Sequence, residues 1–398
     1  MTSSLAVTGM GVIAPGGWGA EQYWQSMLNA ESHILPPTLF DADAFEVPFA
    51  GEVGGDLGVY LSSRERKQTD RMTQLALIAS DWALEDANVT VEDPFAVGVY
   101  TASASGGFHF GQEELQNLWA HGPHHVSAYM SFAWFYAVNS GQISIRHDLR
   151  GPSGVLVTEQ SGGIDAIAAA ARKVRLGTPM MLTGGMDSAL CPYAITAQIR
   201  SGRLSSTDEC STAYVPFDRQ TTGHVPAEGG CILVVESADS ARERGVRPYG
   251  IIAGHGSTFD PRPGSGRTGR LADSMTIALN KSGLKPGDIG ALFADGAGTS
   301  AMDEAEAAAI NTVFPTLPPV TVPKAGYGRA YSGAGALDTA AALLALRYET
   351  IPPTPNVRAD NVIIPMVTEP EALLKPAIMV VGRGEGGFNS ALVLQAAP

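Results

Sequence analysis

Residues 154–163, Gly154-Val155-Leu156-Val157-Thr158-Glu159-Gln160-Ser161-Gly162-Gly163, run from an apolar, β-branched stretch through a polar turn into a glycine pair, and residues 164–174 continue as an alanine-rich amphipathic segment. That order describes a buried strand ending in a tight turn where a helix begins. A helix N-terminus is the positive end of the aligned peptide dipoles, so a cysteine held at such an apex becomes a nucleophilic thiolate. The apex residue here is Gln160, a neutral amide with no nucleophile and no proton to lose.

The same grammar repeats outward from this stretch. Apolar runs that read as strands are Leu5–Thr8, Ala96–Thr101, Gly154–Thr158, Met180–Thr183, Cys231–Glu236, Gly250–Gly254, Ala291–Asp295, Val320–Pro323, Ala377–Gly382 and Ala391–Gln395. Asp70–Asp86 and Ala301–Val313 carry helical periodicity. Strands alternating with amphipathic helices specify an α/β protein with buried sheets. Val320–Pro323 leads through Lys324–Gly335 into Ala336–Tyr348, echoing the run from Gly154 to Val174, and each half closes on a glycine-rich strand-forming segment, 228–236 and 384–395. A duplicated unit is expected, with halves at residues 1–240 and 241–398.

The 398 residues are 44% hydrophobic and 17% charged, which suits a compact chain of two or three domains and excludes disorder. The net charge of −14 repels nucleic acid and anionic membrane surfaces, so neither is an expected partner. The three cysteines, at 191, 210 and 231, are too scattered for a disulfide framework or a metal knuckle. Met1–Gly9 shows no basic leader segment, and a cytoplasmic protein is expected. Val126–Ile145 is free of charge for 20 residues, but its serines, Asn139 and Gln142 read as a buried core helix rather than a membrane span. Gly9-Met10-Gly11-Val12-Ile13-Ala14 fits a dinucleotide fingerprint, yet Pro15-Gly16-Gly17 opposes the helix that fingerprint needs, so a strand-to-loop turn is expected. His121, His124 and His125 lack the spacing and companions of a metal site.

Several further motifs follow in a fixed order: Pro216-Phe217-Asp218, Gly223, and Glu228-Gly229-Gly230; Asp295-Gly296-Ala297-Gly298-Thr299 with Asp303 and Glu306; Lys324 with Gly328-Arg329; and Gly386-Gly387-Phe388-Asn389-Ser390. Together with the elbow they resemble the β-ketoacyl synthases of the thiolase superfamily from about Leu5 to Gln395. The resemblance implies a thiolase-like fold of two α-β-α-β-α halves stacked in five layers. Active members carry a cysteine at the elbow and two histidines, which by motif fall at Gln160, Asp295 and Arg329 here. All eight histidines of the chain lie at other positions. What remains, Thr299, Asp303, Glu306, Lys324, Phe388 and Asn389, is the frame around the site.

A frame kept without its thiol and imidazoles resembles the chain-length factor of type II aromatic polyketide synthases, a catalytically incomplete subunit. The resemblance implies an obligate heterodimer with a ketosynthase α subunit, no cofactor or metal, and an acyl carrier protein reached through the complex, with the poly-β-ketone in an interface tunnel. Its length-setting side chains match Phe108, Gly111 and Leu115, and spacings of three and four put them on one helical face. Tyr193 is expected beside them, and small groups at 111 and 115 imply a product longer than an octaketide. An alternative is a subunit that decarboxylates malonyl-carrier protein to prime the complex. A nicotinamide oxidoreductase using the first glycine loop, and a scaffold without influence on the product, are further alternatives.

Overall fold

A computed structural model of the chain describes residues 4–262 and 264–397. Its main sheet contains ten long or site-bearing strands: β1 (Leu5–Ala14), β2 (Val97–Ala102), β3 (Ser153–Leu156), β4 (Met180–Ser188), β5 (Glu228–Ser237), β6 (Gly250–Phe259), β7 (Ala291–Phe293), β8 (Val320–Thr321), β9 (Ala377–Arg383) and β10 (Phe388–Gln395). They lie in the order β3-β2-β4-β5-β1-β6-β10-β9-β7-β8. The order is its own mirror image about the β1–β6 seam, where Leu5–Val7 pair antiparallel with Gly250–Ile252. Pairing sense is mirrored too: β3, β2 and β4 are parallel, as are β9, β7 and β8, and the strands between them are antiparallel.

The helices that matter for the site are α1 (Arg71–Asp86), α2 (Phe108–His121), α3 (Val138–Arg146), α4 (Gly162–Arg175), α5 (Pro192–Ser201), α6 (Leu271–Ser282), α7 (Ser300–Val313) and α8 (Ser332–Tyr348). One apolar cluster joins α1 to one face of the first half-sheet, and another joins α6 and α7 to the second. Between them α4 and α8 pack on the inner faces of both half-sheets. The layers therefore run helix, sheet, helix, sheet, helix, which is the thiolase-like arrangement. Every residue of α8 from Ser332 to Leu346 is buried, which is why its sequence is apolar on all sides rather than on one stripe.

The central helices cross at their N-termini with backbone against backbone. A methyl group on Gly163 would sit 2.5 Å from both Ala336 N and Ser332 O, and one on Gly333 would sit 2.0 Å from Gly229 O. Only glycine fits such contacts.

Two local expectations are corrected. Gly9–Ala14 is not a turn: β1 continues through it to Ala14, and a methyl group on Gly11 would lie 1.9 Å from Ala79 O of α1. The glycine pattern serves close strand-to-helix packing, not a pyrophosphate. Nor is Val126–Ile145 one buried core helix. Helix α3 begins only at Val138, and Trp134, Phe135 and Tyr136 before it are exposed. The cysteines are free, and among the described residues no helix is long and apolar enough to cross a membrane.

Gly163→Ala is expected to lower stability by about 1–3 kcal/mol, the usual cost of overpacking a core. Gly141→Ala, in α3 with nothing within 4 Å of the added methyl, is expected to raise it by up to about 1 kcal/mol. Urea midpoints of the two variants check both signs.

Candidate functional site

The site forms at the C-terminal ends of the parallel strands, where open α/β sheets place their ligands. After β3, residues Glu159–Ser161 make a single 3-10 turn and α4 begins at Gly162. Glu159 has φ of 52°, a left-handed conformation that costs a non-glycine residue about 1–3 kcal/mol. The surroundings hold it there. Ser332 Oγ donates to Glu159 O at 3.0 Å, Gly386 N donates to Glu159 Oε2 at 2.9 Å, and Ser161 Oγ donates to Thr158 O at 2.7 Å. The elbow keeps its tight geometry while presenting Gln160, only 3% exposed, whose Oε1 has no hydrogen-bond partner.

Beyond β7, Asp295 meets Arg329. Arg329 Nη2 donates to Asp295 Oδ1 at 3.1 Å and Oδ2 at 3.0 Å, and its Nη1 donates to the backbone oxygens of Asp295 and Gly296 at 2.9 and 3.2 Å. Arg383 N adds a bond to Asp295 Oδ1 at 3.1 Å, and Lys324 Nζ lies 4.0 Å from the same oxygen. Burial opposes ionisation of Asp295, but the Arg329, Lys324 and Arg383 charges outweigh it and hold the carboxyl below its ordinary value. Against the same burial, Asp295 and Tyr214 keep Arg329 charged. The pair is closed and dehydrated.

Around it stands the expected frame. Glu306 accepts from Asp295 N at 2.8 Å and Gly296 N at 3.0 Å, and Asp303 accepts from Gly298 N at 3.0 Å and Phe217 N at 2.8 Å. Lys324 Nζ bonds Asp338 on α8. Burial, aided by Asp295, pushes Glu306 up to about 7, and burial pushes Asp303 up to about 6. Asp338 rises to about 6, burial outweighing the Lys324 charge. Thr299 is the N-cap residue of α7 without a side-chain cap bond. Asn389 Nδ2 donates to Asp260 Oδ1 at 2.8 Å, and Phe388 packs edge-on against Phe259 with ring centroids 5.1 Å apart. The segment from Gly382 to Gly386 joins the two parts: a methyl group on Gly382 would lie 3.5 Å from Gln160 O, and the next residue bonds Asp295.

Three residues of this region went unread in the sequence. Asp187, at the end of β4 and fully buried, accepts from Ser103 Oγ at 2.6 Å, Ser105 Oγ at 2.9 Å, the backbone of Ala104 at 3.0 Å and the backbone of Ser332 at 2.9 Å. It ties the loop before α2 to the start of α8. Arg383 follows directly on the apolar run Ala377–Gly382, and that abrupt charge was the signal available. His224 is buried beside the pair, with its pKa pushed down to about 3 by burial and by the Arg329 charge, so it is neutral.

The predicted length-setting residues fall on α2 and at the start of α5. Leu115 and Tyr193, with Gln112, Gln116, Trp119 and Ala120, line an open apolar groove of about 590 Å³. Phe108 stands behind it, edge-on to Tyr193 with centroids 5.1 Å apart, while Gly111 is buried where an added methyl would meet Trp134 Cβ at 3.4 Å. Leu115, Trp119 and Tyr193 are 42%, 83% and 57% exposed, so this face is unpartnered in the single chain. Among the described residues no group of three or more His, Cys, Asp or Glu could hold a metal ion.

Comparison with known proteins agrees with this geometry. Residues 2–241 match the β-ketoacyl synthase N-terminal domain family and residues 249–358 the β-ketoacyl synthase C-terminal domain family. The tetracenomycin polyketide synthase ketoacyl synthase β subunit of Streptomyces glaucescens is 50% identical over 400 residues, 98% of each chain. The solved ishigamide ketosynthase/chain length factor superposes with a TM-score of 0.90 at 25% identity over 100% of both chains. A β-ketoacyl synthase from Burkholderia phymatum superposes with a TM-score of 0.91 at 22% identity, again over 100% of both, and shares the fold. The chain belongs to the β-ketoacyl synthase family, among the ketosynthase β subunits, or chain-length factors, of type II polyketide synthases.

Proposed function

We propose that this chain is the non-condensing half of a cytoplasmic heterodimer with a ketosynthase α subunit, and that its α2 face bounds the tunnel in which the poly-β-ketone lengthens. The acyl carrier protein delivers to the complex. One observation carries the reading: at the two positions where condensing relatives hold imidazoles, Asp295 and Arg329 satisfy each other as a buried ion pair. Condensation needs a nucleophile to carry the acyl chain, and donors aimed at a developing enolate oxygen. Gln160 supplies no nucleophile, and the Arg329 donors are already committed to Asp295 and to backbone carbonyls. The site residues therefore act as a plug that stabilises the fold, while Leu115 and Tyr193 meet the growing chain, Gly111 leaving room for it. The division of the chain at residues 240 and 241 belongs to the same reading, supported by the mirrored strand order about β1 and β6.

A second reading rests on the unpartnered Gln160 Oε1. Because a malonyl thioester presents only acceptor oxygens, it is the Nε2 donors of this weakly anchored amide that orient it, in which case the subunit primes the complex by decarboxylation. Gln160→Ala in the heterodimer separates the two: slower initiation at unchanged product length supports priming, and an unchanged initiation rate removes it.

The chain-length reading is tested by the mass of polyketide formed from malonyl-loaded carrier protein. The chain alone should form none. With its ketosynthase, the product should exceed an octaketide, and Gly111→Met with Leu115→Phe should shorten it by at least one acetate unit. A double variant with unchanged product length would sink the tunnel assignment.

The plug makes two stability predictions. Arg329→Met alone strands the Asp295 charge and should cost about 3–5 kcal/mol, whereas Asp295→Leu with Arg329→Met should recover most of that loss in urea unfolding. Glu306, Asp303 and Asp338 have folded pKa values raised to about 7, 6 and 6. Raised carboxyls favour folding most when protonated, so their contribution is full at low pH and lost as pH rises through those values. The melting temperature should fall between about pH 4 and pH 7, and Glu306→Gln should flatten the upper part of that slope.

A further inference from the structure

Tyr331 occupies a backbone position suited to glycine. Residues 330–333 form a tight turn closed by Gly333 N donating to Ala330 O at 2.9 Å, and Tyr331, its second residue, has φ of 46° and ψ of −127°. Those angles belong to the first central position of a type II′ turn, where glycine alone is free of strain. Neighbours impose them from both sides. Arg329 N donates to Val225 O at 2.9 Å and its carbonyl accepts from Ala227 N at 3.0 Å, while Ser332 is held by Asp187 and by Glu159 O. A glycine at 331 would let the same contacts close without strain, so the phenol ring is carried at a cost to the fold.

What the ring touches gives the reason. Tyr331 and Phe108 both pack on a small buried floor of Ala189, Cys191 and Ala194, and Phe108 in turn stands edge-on to Tyr193 at the α2 groove. Tyr331 thus lies behind Phe108, between the groove and the elbow. It is only partly buried, and its hydroxyl makes no hydrogen bond among the described residues. Burial and the charges of Glu385, Asp187 and Glu159 push its pKa up, so the phenol stays protonated and remains a neutral donor. Those carboxylates are engaged elsewhere: Asp187 with Ser103, Ala104, Ser105 and Ser332, Glu159 Oε2 with Gly386 N at 2.9 Å, and Glu385 Oε2 with Arg203 Nη1 at 3.2 Å.

We propose that Tyr331 closes the deep end of the poly-β-ketone tunnel behind Phe108, its ring limiting the length and its hydroxyl donating to a carbonyl of the chain. The inference rests on the chain-length reading given above. A poly-β-ketone presents acceptor oxygens at alternate carbons along an otherwise apolar thread, and a neutral donor set in an apolar wall suits it better than a charged group.

The test assays the heterodimer with malonyl-loaded carrier protein, with product mass and melting temperature read on the same preparations. Tyr331→Gly relieves the turn and removes the wall: the complex should melt no lower than wild type, and the product should gain at least one acetate unit. Tyr331→Phe keeps the ring and its packing; product length should hold, and full-length chain should form about threefold more slowly for want of one neutral hydrogen bond. Unchanged product length in Tyr331→Gly overturns the wall, and an unchanged rate in Tyr331→Phe overturns the hydrogen bond. A ring that served packing alone would give the opposite pattern, a lower melting temperature with the wild-type product. The Gly111→Met, Leu115→Phe variant run alongside keeps the failures apart. If it shortens the product and Tyr331→Gly does not lengthen it, this inference falls and the tunnel assignment stands; if neither changes the length, the tunnel assignment falls with it.

Discussion

The constraint on which the rest depends is the approach of the α8 N-terminus to the elbow. Ser332 sits where the backbones of α4, β4 and α8 converge: its N–H donates to Asp187, its hydroxyl donates to Glu159 O, and its carbonyl lies where methyl groups on Gly163 or Gly185 would fall. A family of enzymes that holds a nucleophile at the end of one half and its helpers at the end of the other needs such a clamp. Here the clamp holds an elbow whose apex is Gln160. Packing at van der Waals distance has no partial version, so these glycines cannot drift as freely as the side chains they position.

Two charged groups in a dry interior pose a physical problem that Asp295 and Arg329 solve together. A buried Asp without Arg, or the reverse, would leave a bare charge in a dry interior, whereas the pair with Lys324 and Asp338 alternates in sign. The nearby backbone amides of residues 295, 296 and 298 still point at Glu306 and Asp303. The loop is shaped by those carboxylates, not by the residue at its tip. The residue at the tip can therefore vary without loss of the loop.

The strands were legible because burial on both faces forces continuous apolar runs, and every one of the ten anticipated strands exists. Their ends were less legible. Gly184 and Gly185 read as a stop, yet β4 runs on to Ser188 because glycine is needed where Ser332 crosses it. Gly9 and Gly11 misled in the same way. The uncharged stretch before Ile145 read as core because nothing within one chain distinguishes an aromatic run that faces its own interior from one that faces outward. At the site, Gln160, Asp295 and Arg329 could be located from order and spacing. Asp187 and His224 could not, because their partners lie far away in sequence and meet them only through the fold.

The seam between the half-sheets has one more consequence, for biosynthesis of the chain itself. Of the ten strands of the sheet, β1 is synthesised first, yet it lies in the middle of the sheet, between partners that begin at residues 228 and 250. At roughly 5–20 residues per second, its ten buried residues wait on the order of ten to fifty seconds before either neighbour exists. Until then an apolar strand with two open edges is exposed to every other nascent chain nearby. The symmetry that closes the finished sheet therefore makes its first-made strand wait longest for shelter, and places the hazard of aggregation during translation rather than after it.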